Sequence, residues 1–170
     1  METIRIRLAA PADAATLVDF QIRMAMESEG LALDRATVTR GVGAVFADPS
    51  KGRYWVAEEE GRLVGCLLTI PEWSDWRDAT VLWIHSVYVV PEARRRGVFR
   101  KLFLNLRAIV EGSPDFAGLR LFVEQRNRVA QQVYESLGMT CEHYHLYEWL
   151  EPPSPRTPEF QRDGLDQGAG

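Results

Sequence analysis

Between Arg53 and Val90 the chain passes through three strand-type segments with no helical segment between them, and this most restricts the folds open to it. Arg53-Tyr54-Trp55-Val56-Ala57 and Leu63 to Ile70 are rich in β-branched and aromatic residues. The acidic tip Glu58-Glu59-Glu60-Gly61 joins them as an antiparallel hairpin. After a polar and aromatic loop, PEWSDWRDA, a third strand runs from about Val81 to Val90. A doubly wound βαβαβ sheet needs a helix between successive strands, so this cluster argues against a dinucleotide-binding fold.

The flanking segments complete the order. Ile4, Ile6 and Leu8 alternate with Arg5 and Arg7 as a strand with one wet face. Pro11 opens a helix carrying Ala14, Leu17, Val18 and Ile22, and a second runs from Asp34 as N-cap to about Phe46. Past the middle strands, Gly97 begins a helix striped with Val98, Leu102, Phe103, Leu106, Ile109 and Val110. Leu119 to Glu124 reads as a strand, Asn127 to Leu137 as a helix and Met139 to Leu150 as a final strand. The order β-α-α-β-β-β-α-β-α-β predicts an α/β (α+β) domain over 1–150, with a mixed, mostly antiparallel central sheet flanked by helices. Residues 151–170 hold four of the nine prolines and end in Gly-Ala-Gly, which predicts a flexible tail or an arm lying on a partner.

Charge and cysteine usage narrow the function classes. Twenty basic against twenty-four acidic side chains leave a net −4, which argues against general nucleic-acid or membrane-surface binding. The first twenty residues carry Arg5, Arg7 and Asp13 and lack a signal-type apolar core, and apolar runs stay far short of the ~20 residues of a membrane span. Cys66 and Cys141 lack CxxC spacing and read as reduced, buried thiols. A cytoplasmic protein is the expectation.

Against that acidic background PEARRRGVF, residues 91–99, concentrates positive charge. Pro91 stops the strand Val87-Tyr88-Val89-Val90, and a helix starts near Gly97. Such a junction points backbone N–H groups and the positive helix end at an anion, and glycine allows close approach. Arg94, Arg95, Arg96 and Arg100 add charge, with bidentate phosphate contacts within their chemistry. A solvated loop that carries arginines fits the same residues. A second cluster follows, with Asn127-Arg128-Val129-Ala130, then Tyr134, then Leu137-Gly138-Met139. Asn127 also fits a plain N-cap and Tyr134 a plain core aromatic.

Strand VYVVP, loop EARRRGVFRKLF and the spacing N127-x-x-A130-x-x-x-Y134-x-x-x-G138-M139 resemble the GNAT family of acyl-CoA-dependent N-acetyltransferases. The resemblance spans about Ile4 to Leu150 in element order, and its specific motifs lie between Val87 and Gly138. The family's Gln/Arg-x-x-Gly-x-Gly/Ala loop reads Arg94-x-x-Gly97-x-Phe99 here, with Phe99 departing at the last position. The resemblance implies acetyl-CoA as cosubstrate and no metal. It implies that the backbone of Val87, Tyr88 and Val89 pairs with the pantetheine arm like an added strand. It further implies that N–H groups from Arg95 through Arg96, Gly97, Val98 and Phe99 to Arg100 hold the pyrophosphate. Asn127 would contact the coenzyme arm and Tyr134 would lie near its sulfur.

Acetyl transfer to an amine requires a neutral amine, a stabilised oxyanion and a protonated leaving thiolate. A lysine-like amine has a pKa of roughly 10.4 and must lose a proton first. Tyr134 suits the general acid and the N–H of Val89 the oxyanion donor. Glu124, at a strand end, His85, expected on the same strand face as Val87 and Val89, and Glu29, after the first helix, are the candidate bases. Each fits a surface or strand-end polar residue equally well. No Ser-His-Asp spacing or reactive-cysteine setting suggests an acyl-enzyme, so direct transfer in a ternary complex is expected.

On the acceptor side, Glu72, Trp73, Asp75 and Trp76 place two indoles and two carboxylates in five residues, and Glu29 adds a further acid. They fit a cage for a cationic amine, small molecule or peptide, and equally a loop whose tryptophans pack on the sheet. His143 and His145 share a strand face but have no third ligand at a recognisable spacing, so no metal is expected. A CoA-binding sensor or partner-binding domain without turnover is the rival reading. A nucleotide-binding module would leave the Asn127–Gly138 cluster unexplained. The oligomeric state is open, with a homodimer among the arrangements allowed.

Overall fold

The computed structural model describes residues 4–141 and 146–149. Its elements are β1 (Arg5–Leu8), α1 (Ala14–Glu29), α2 (Arg35–Ala47), β2 (Arg53–Glu59), β3 (Arg62–Ser74), β4 (Ala79–Val89), α3 (Val98–Glu111), β5 (Phe116–Leu121) and α4 (Arg128–Ser136). The five strands lie in the sheet order β1-β2-β3-β4-β5. The first three pairings are antiparallel and β4–β5 is parallel, crossed over through α3. The mixed, mostly antiparallel sheet with flanking helices is the fold class expected from the sequence.

Local chemistry explains most boundaries. Asp34 caps α2 by accepting from the Thr37 N–H at 2.7 Å. Glu60 and Gly61, at φ 49 and 75, form the tight turn between β2 and β3. The PEWSDWRDA segment differs from expectation, because β3 continues through it and pairs as far as Ser74 with Ala79. β2 begins at Arg53, opposite Thr69, so Pro71 sits where β3 lacks that neighbour and a missing N–H is tolerated. The expected strand from Met139 to Leu150 is not seen in its described parts, 139–141 and 146–149. Residues 142–145, with His143 and His145, and 150–170, with the proline-rich tail, lie outside the described residues.

Helices pack on both faces of the sheet. Tyr88 packs against Phe20 of α1 as a tilted ring pair, 5.1 Å between centroids, and donates to Glu27 of α1 at 3.0 Å. Cys66 pairs with Tyr88, so the neighbouring Gly65 faces the other way, where an added Cβ would lie 3.0 Å from Val98 of α3. The core on the two faces includes the fully buried Leu17, Val56, Leu67, Leu102 and Leu106. Each such leucine removed from water contributes about 2 kcal/mol. Cys66 is buried as expected, whereas Cys141 is exposed because no element covers it among the described residues.

Candidate active site

The site begins where β4 loses one neighbour. β5 pairs with β4 from Thr80 to Ile84 and ends at Leu121, while β4 continues to Val89. A bulge lies at the point of separation: Cys66 pairs with Tyr88 but Leu68 pairs with His85, so Ser86 and Val87 oppose one residue. Ser86 has φ 51, as a strand-bending bulge requires. Val90 donates its N–H to Val64 at 3.0 Å, so the N–H and C=O of Val89 point to the opposite, open edge. That carbonyl accepts from Arg94 Nε at 2.9 Å, and the Val89 N–H faces the space between the parted strands.

The bulge also reverses one expectation. Simple alternation puts His85 on the face of Val87 and Val89. The register instead groups His85 with Tyr88, through partners Leu68 and Cys66, on the face covered by α1. One extra residue shifts the side-chain period by one.

The open edge leads into the turn before α3. Arg95 and Gly97 take left-handed φ values of 61 and 78. The first helical bond runs from Lys101 N–H to Gly97 C=O at 3.0 Å. Ahead of it, the N–H groups of Arg95, Gly97, Val98, Phe99 and Arg100 find no acceptor among the described residues. Nothing lies within 4 Å of the Cβ position of Gly97, so the turn is open to an anion.

The arginines have divided tasks. Arg94 pairs with Glu27 and lies over the Tyr88 ring, 5.8 Å from its centroid, tying the turn to α1. Its guanidinium, with help from the Tyr88 hydroxyl, holds the Glu27 carboxyl below the usual carboxylate range. Arg96 makes two hydrogen bonds to Glu59, at 3.0 and 2.5 Å. Arg95 and Arg100 are exposed and form no ion pair among the described residues.

Across the turn stands α4. Asn127 accepts from Ala130 N–H at 3.1 Å through Oδ1, which makes it the N-cap and leaves its amide NH₂ without an acceptor among the described residues. Gln131 ties the preceding loop down through the carbonyls of Glu124 and Gln125, at 3.2 and 2.9 Å. Tyr134 is half-buried, and burial raises its phenol pKa, so it stays protonated at neutral pH. The ring of Phe99 meets it edge-on at 5.4 Å and 67°. Phe99 therefore points away from the N–H cradle and packs the first turn of α3 against α4.

The three candidate bases separate. His85 is half-buried, and burial lowers its pKa from 6.5, so it is neutral at pH 7. It is in ring contact with Trp83 and Phe122, at 6.4 and 6.1 Å. Glu124 is exposed, one oxygen accepting from Arg126 N–H at 2.8 Å in its own turn. Glu29 is exposed at the last residue of α1. Cys66, a buried thiol pushed up to about 12 by burial, is no nucleophile.

The expected acceptor cage is not assembled. Glu72 and Trp73 are consecutive in β3 and face opposite sides of the sheet. Trp73 is 63% and Trp76 90% exposed, with no ring contact between them among the described residues. Asp75 accepts from the N–H of Trp76 at 2.9 Å. Glu72 alone joins the site face, accepting from Trp83 Nε1 and from Arg120 at 3.0 Å.

Sequence reasoning missed Trp83, Arg120, Phe122 and Gly65. Trp83 and Arg120 are cross-strand partners, and the Arg120 guanidinium lies 5.6 Å from the Trp83 ring. Gly65 had a signal, an isolated glycine within a strand. A Cβ there would meet Tyr88 O and Val98 Cγ1 at 3.0 Å, so its absence lets α3 start close against β4. Among the described residues no helix is long and apolar enough to cross a membrane.

The model of the acetyltransferase (GNAT) family matches residues 22–139. The crystal structure of a possible acetyltransferase from Clostridium difficile 630 is 40% identical, covering 87% of this chain and 97% of that one with a TM-score of 0.82. Two more distant structures share the fold. A ribosomal-protein-alanine N-acetyltransferase from Brucella melitensis biovar Abortus 2308 has 15% identity over 87% of this chain and 100% of that one, TM-score 0.70. A predicted acetyltransferase with acetyl-CoA from Clostridium acetobutylicum has 19% identity over 88% and 95% of the two chains, TM-score 0.65. None of the curated proteins compared matches the chain. With a strand edge opened by a bulge, an N–H cradle beside it and a family match over most of its length, the chain belongs to the GNAT acetyltransferases, enzymes that use an acyl-CoA donor.

Proposed function

We propose that the protein transfers the acetyl group of acetyl-CoA directly to a primary amine in a ternary complex. The observation that carries this reading is the continuity of the open Val87–Val89 edge with the N–H groups of Arg95, Gly97, Val98, Phe99 and Arg100, which find no acceptor among the described residues. An extended pantetheine amide chain pairs with such an edge, and a pyrophosphate suits such a cradle. The Asn127 amide NH₂, without an acceptor among the described residues, is left to donate to the same arm.

His85 acts as the base, directly or through one water, because burial keeps it neutral where an amine is protonated. It removes a proton from the ammonium group, and the freed lone pair attacks the thioester carbonyl carbon. The carbonyl oxygen gains negative charge and is held by the Val89 N–H. The C–N bond forms, the C–S bond breaks, and the departing sulfur takes the phenolic proton of Tyr134. The amide nitrogen sheds its second proton, and Tyr134 is reprotonated, so one proton is released overall.

Supporting this assignment, Phe99 holds the Tyr134 ring from the side. The domain over 1–150, the cytoplasmic setting and the absence of a metal belong to the same proposal. Thiol release from acetyl-CoA across an amine panel tests it. Amine-dependent release with a coenzyme Kd in the micromolar range is expected. Coenzyme binding without turnover on any amine would favour a sensor, and no binding would sink both readings.

A further inference from the structure

The cluster at the end of the β4–β5 pairing is built and partly open. Phe122 stacks on Trp83 with centroids 4.4 Å apart and planes at 28°. Its edge meets His85 at 6.1 Å. One face of the Phe122 ring is thus covered by the indole, yet the side chain remains 50% exposed, so the rest of the ring faces solvent. Trp83 is fixed in turn by Glu72, which accepts its Nε1–H, and by Arg120 lying over the ring.

The charges in this cluster satisfy each other. Both oxygens of Glu72 have partners, one Trp83 and the other Arg120. Glu72 therefore has no free oxygen to select a second positive charge on the acceptor. What the cluster offers next to His85 is a rigid aromatic face.

We propose that Phe122, backed by Trp83, is the platform for the body of the acceptor, and that the acceptors are aromatic amines whose ring stacks on Phe122 while the amino group reaches His85. This rests on His85 lying at the acetyl-transfer centre. A chain of two or three bonds between ring and nitrogen spans the offset between the Phe122 and His85 rings. The ring, rather than a second cationic group, then sets selectivity, which departs from the cage expected around Trp73 and Trp76.

The test compares phenethylamine with n-butylamine and spermidine, using thiol release for turnover and calorimetry for binding of acetyl-CoA and of phenethylamine. Stacked aromatic pairs correspond to about a three- to tenfold effect each. Phenethylamine is expected to exceed n-butylamine about tenfold or more in kcat/KM. That preference should collapse in Phe122→Ala and Phe122→Leu, mainly through KM, with acetyl-CoA affinity unchanged. Phe122→Leu keeps apolar bulk without the ring, so a preference lost in Ala but kept in Leu overturns the platform, as does equal use of the amines by the parent protein. Should acetyl-CoA fail to bind, the coenzyme reading falls on its own. Calorimetry of phenethylamine then still decides the platform, weaker binding in Phe122→Leu supporting it and equal binding overturning it.

Discussion

The two halves of β4 behave as different structures within one strand. From Thr80 to Ile84 it is held on both sides, by β3 and β5, and its residues are cross-strand partners of Glu72 and Arg120. From His85 to Val89 it keeps β3 alone, and its other edge is open backbone beside the cradle of α3. The paired half can carry recognition in side chains because their positions are set by two neighbours. The open half offers main-chain donors and acceptors, which are blind to its own side chains. A one-residue bulge at Ser86 lies just past their junction, so that Tyr88 rather than Val89 shares the face of His85.

The largest effect should come from the open half's chemistry. Tyr134→Phe is expected to lower kcat by about a hundredfold or more, within the range of general acids, with coenzyme Kd within about twofold. Unchanged kcat in steady-state assays would remove Tyr134 as the acid. Next is the cradle itself. Gly97→Val places a β-branched residue at φ 78 in otherwise open space, so backbone strain of about 1–2 kcal/mol is the main stability loss. Coenzyme affinity should drop about tenfold as the N–H groups turn, and calorimetry would read it. Arg95→Ala should weaken binding only severalfold, and less at high salt; a larger loss than Gly97→Val would mean that charge outweighs backbone.

The junction of the two halves gives a smaller, pH-dependent signature. Burial depresses His85 below 6.5, so the acid limb of kcat/KM should fall below that value and vanish in His85→Gln. The unfolded chain takes up this proton at higher pH than the folded one. His85 thus favours the fold above its unfolded pKa, and that contribution is lost as pH falls from about 6.5 through the lower folded value. A limb that stays in the variant would assign it to another group. Smallest are the exposed indoles, where Trp73→Ala and Trp76→Ala should change KM for amines by less than about twofold. A large rise in KM would restore the cage.

Much of the open half was legible in residues alone. Strand, proline, basic turn and glycine follow one another within the chain from Val87 to Gly97, so local backbone preference suffices to announce them. Phe99 looked like an interruption of that turn and became intelligible only through its contact with Tyr134, thirty-five positions away. The acceptor face was harder to read. EWSDW was conspicuous because its residues adjoin in sequence, but a strand sends neighbours to opposite faces, and only Glu72 reached the site.

By itself, then, the sequence determined the element order as far as α4, the excluded doubly wound sheet and the backbone cradle, because these follow from periodicity, turn chemistry and residues a few positions apart. Tertiary structure alone decided which side chains meet at the chemistry. Trp83, Arg120 and Phe122 come together through strand pairing across a long crossover, and His85 joins them from two residues along β4, on the face of Trp83. Register is set by packing of the whole sheet, which no single segment encodes.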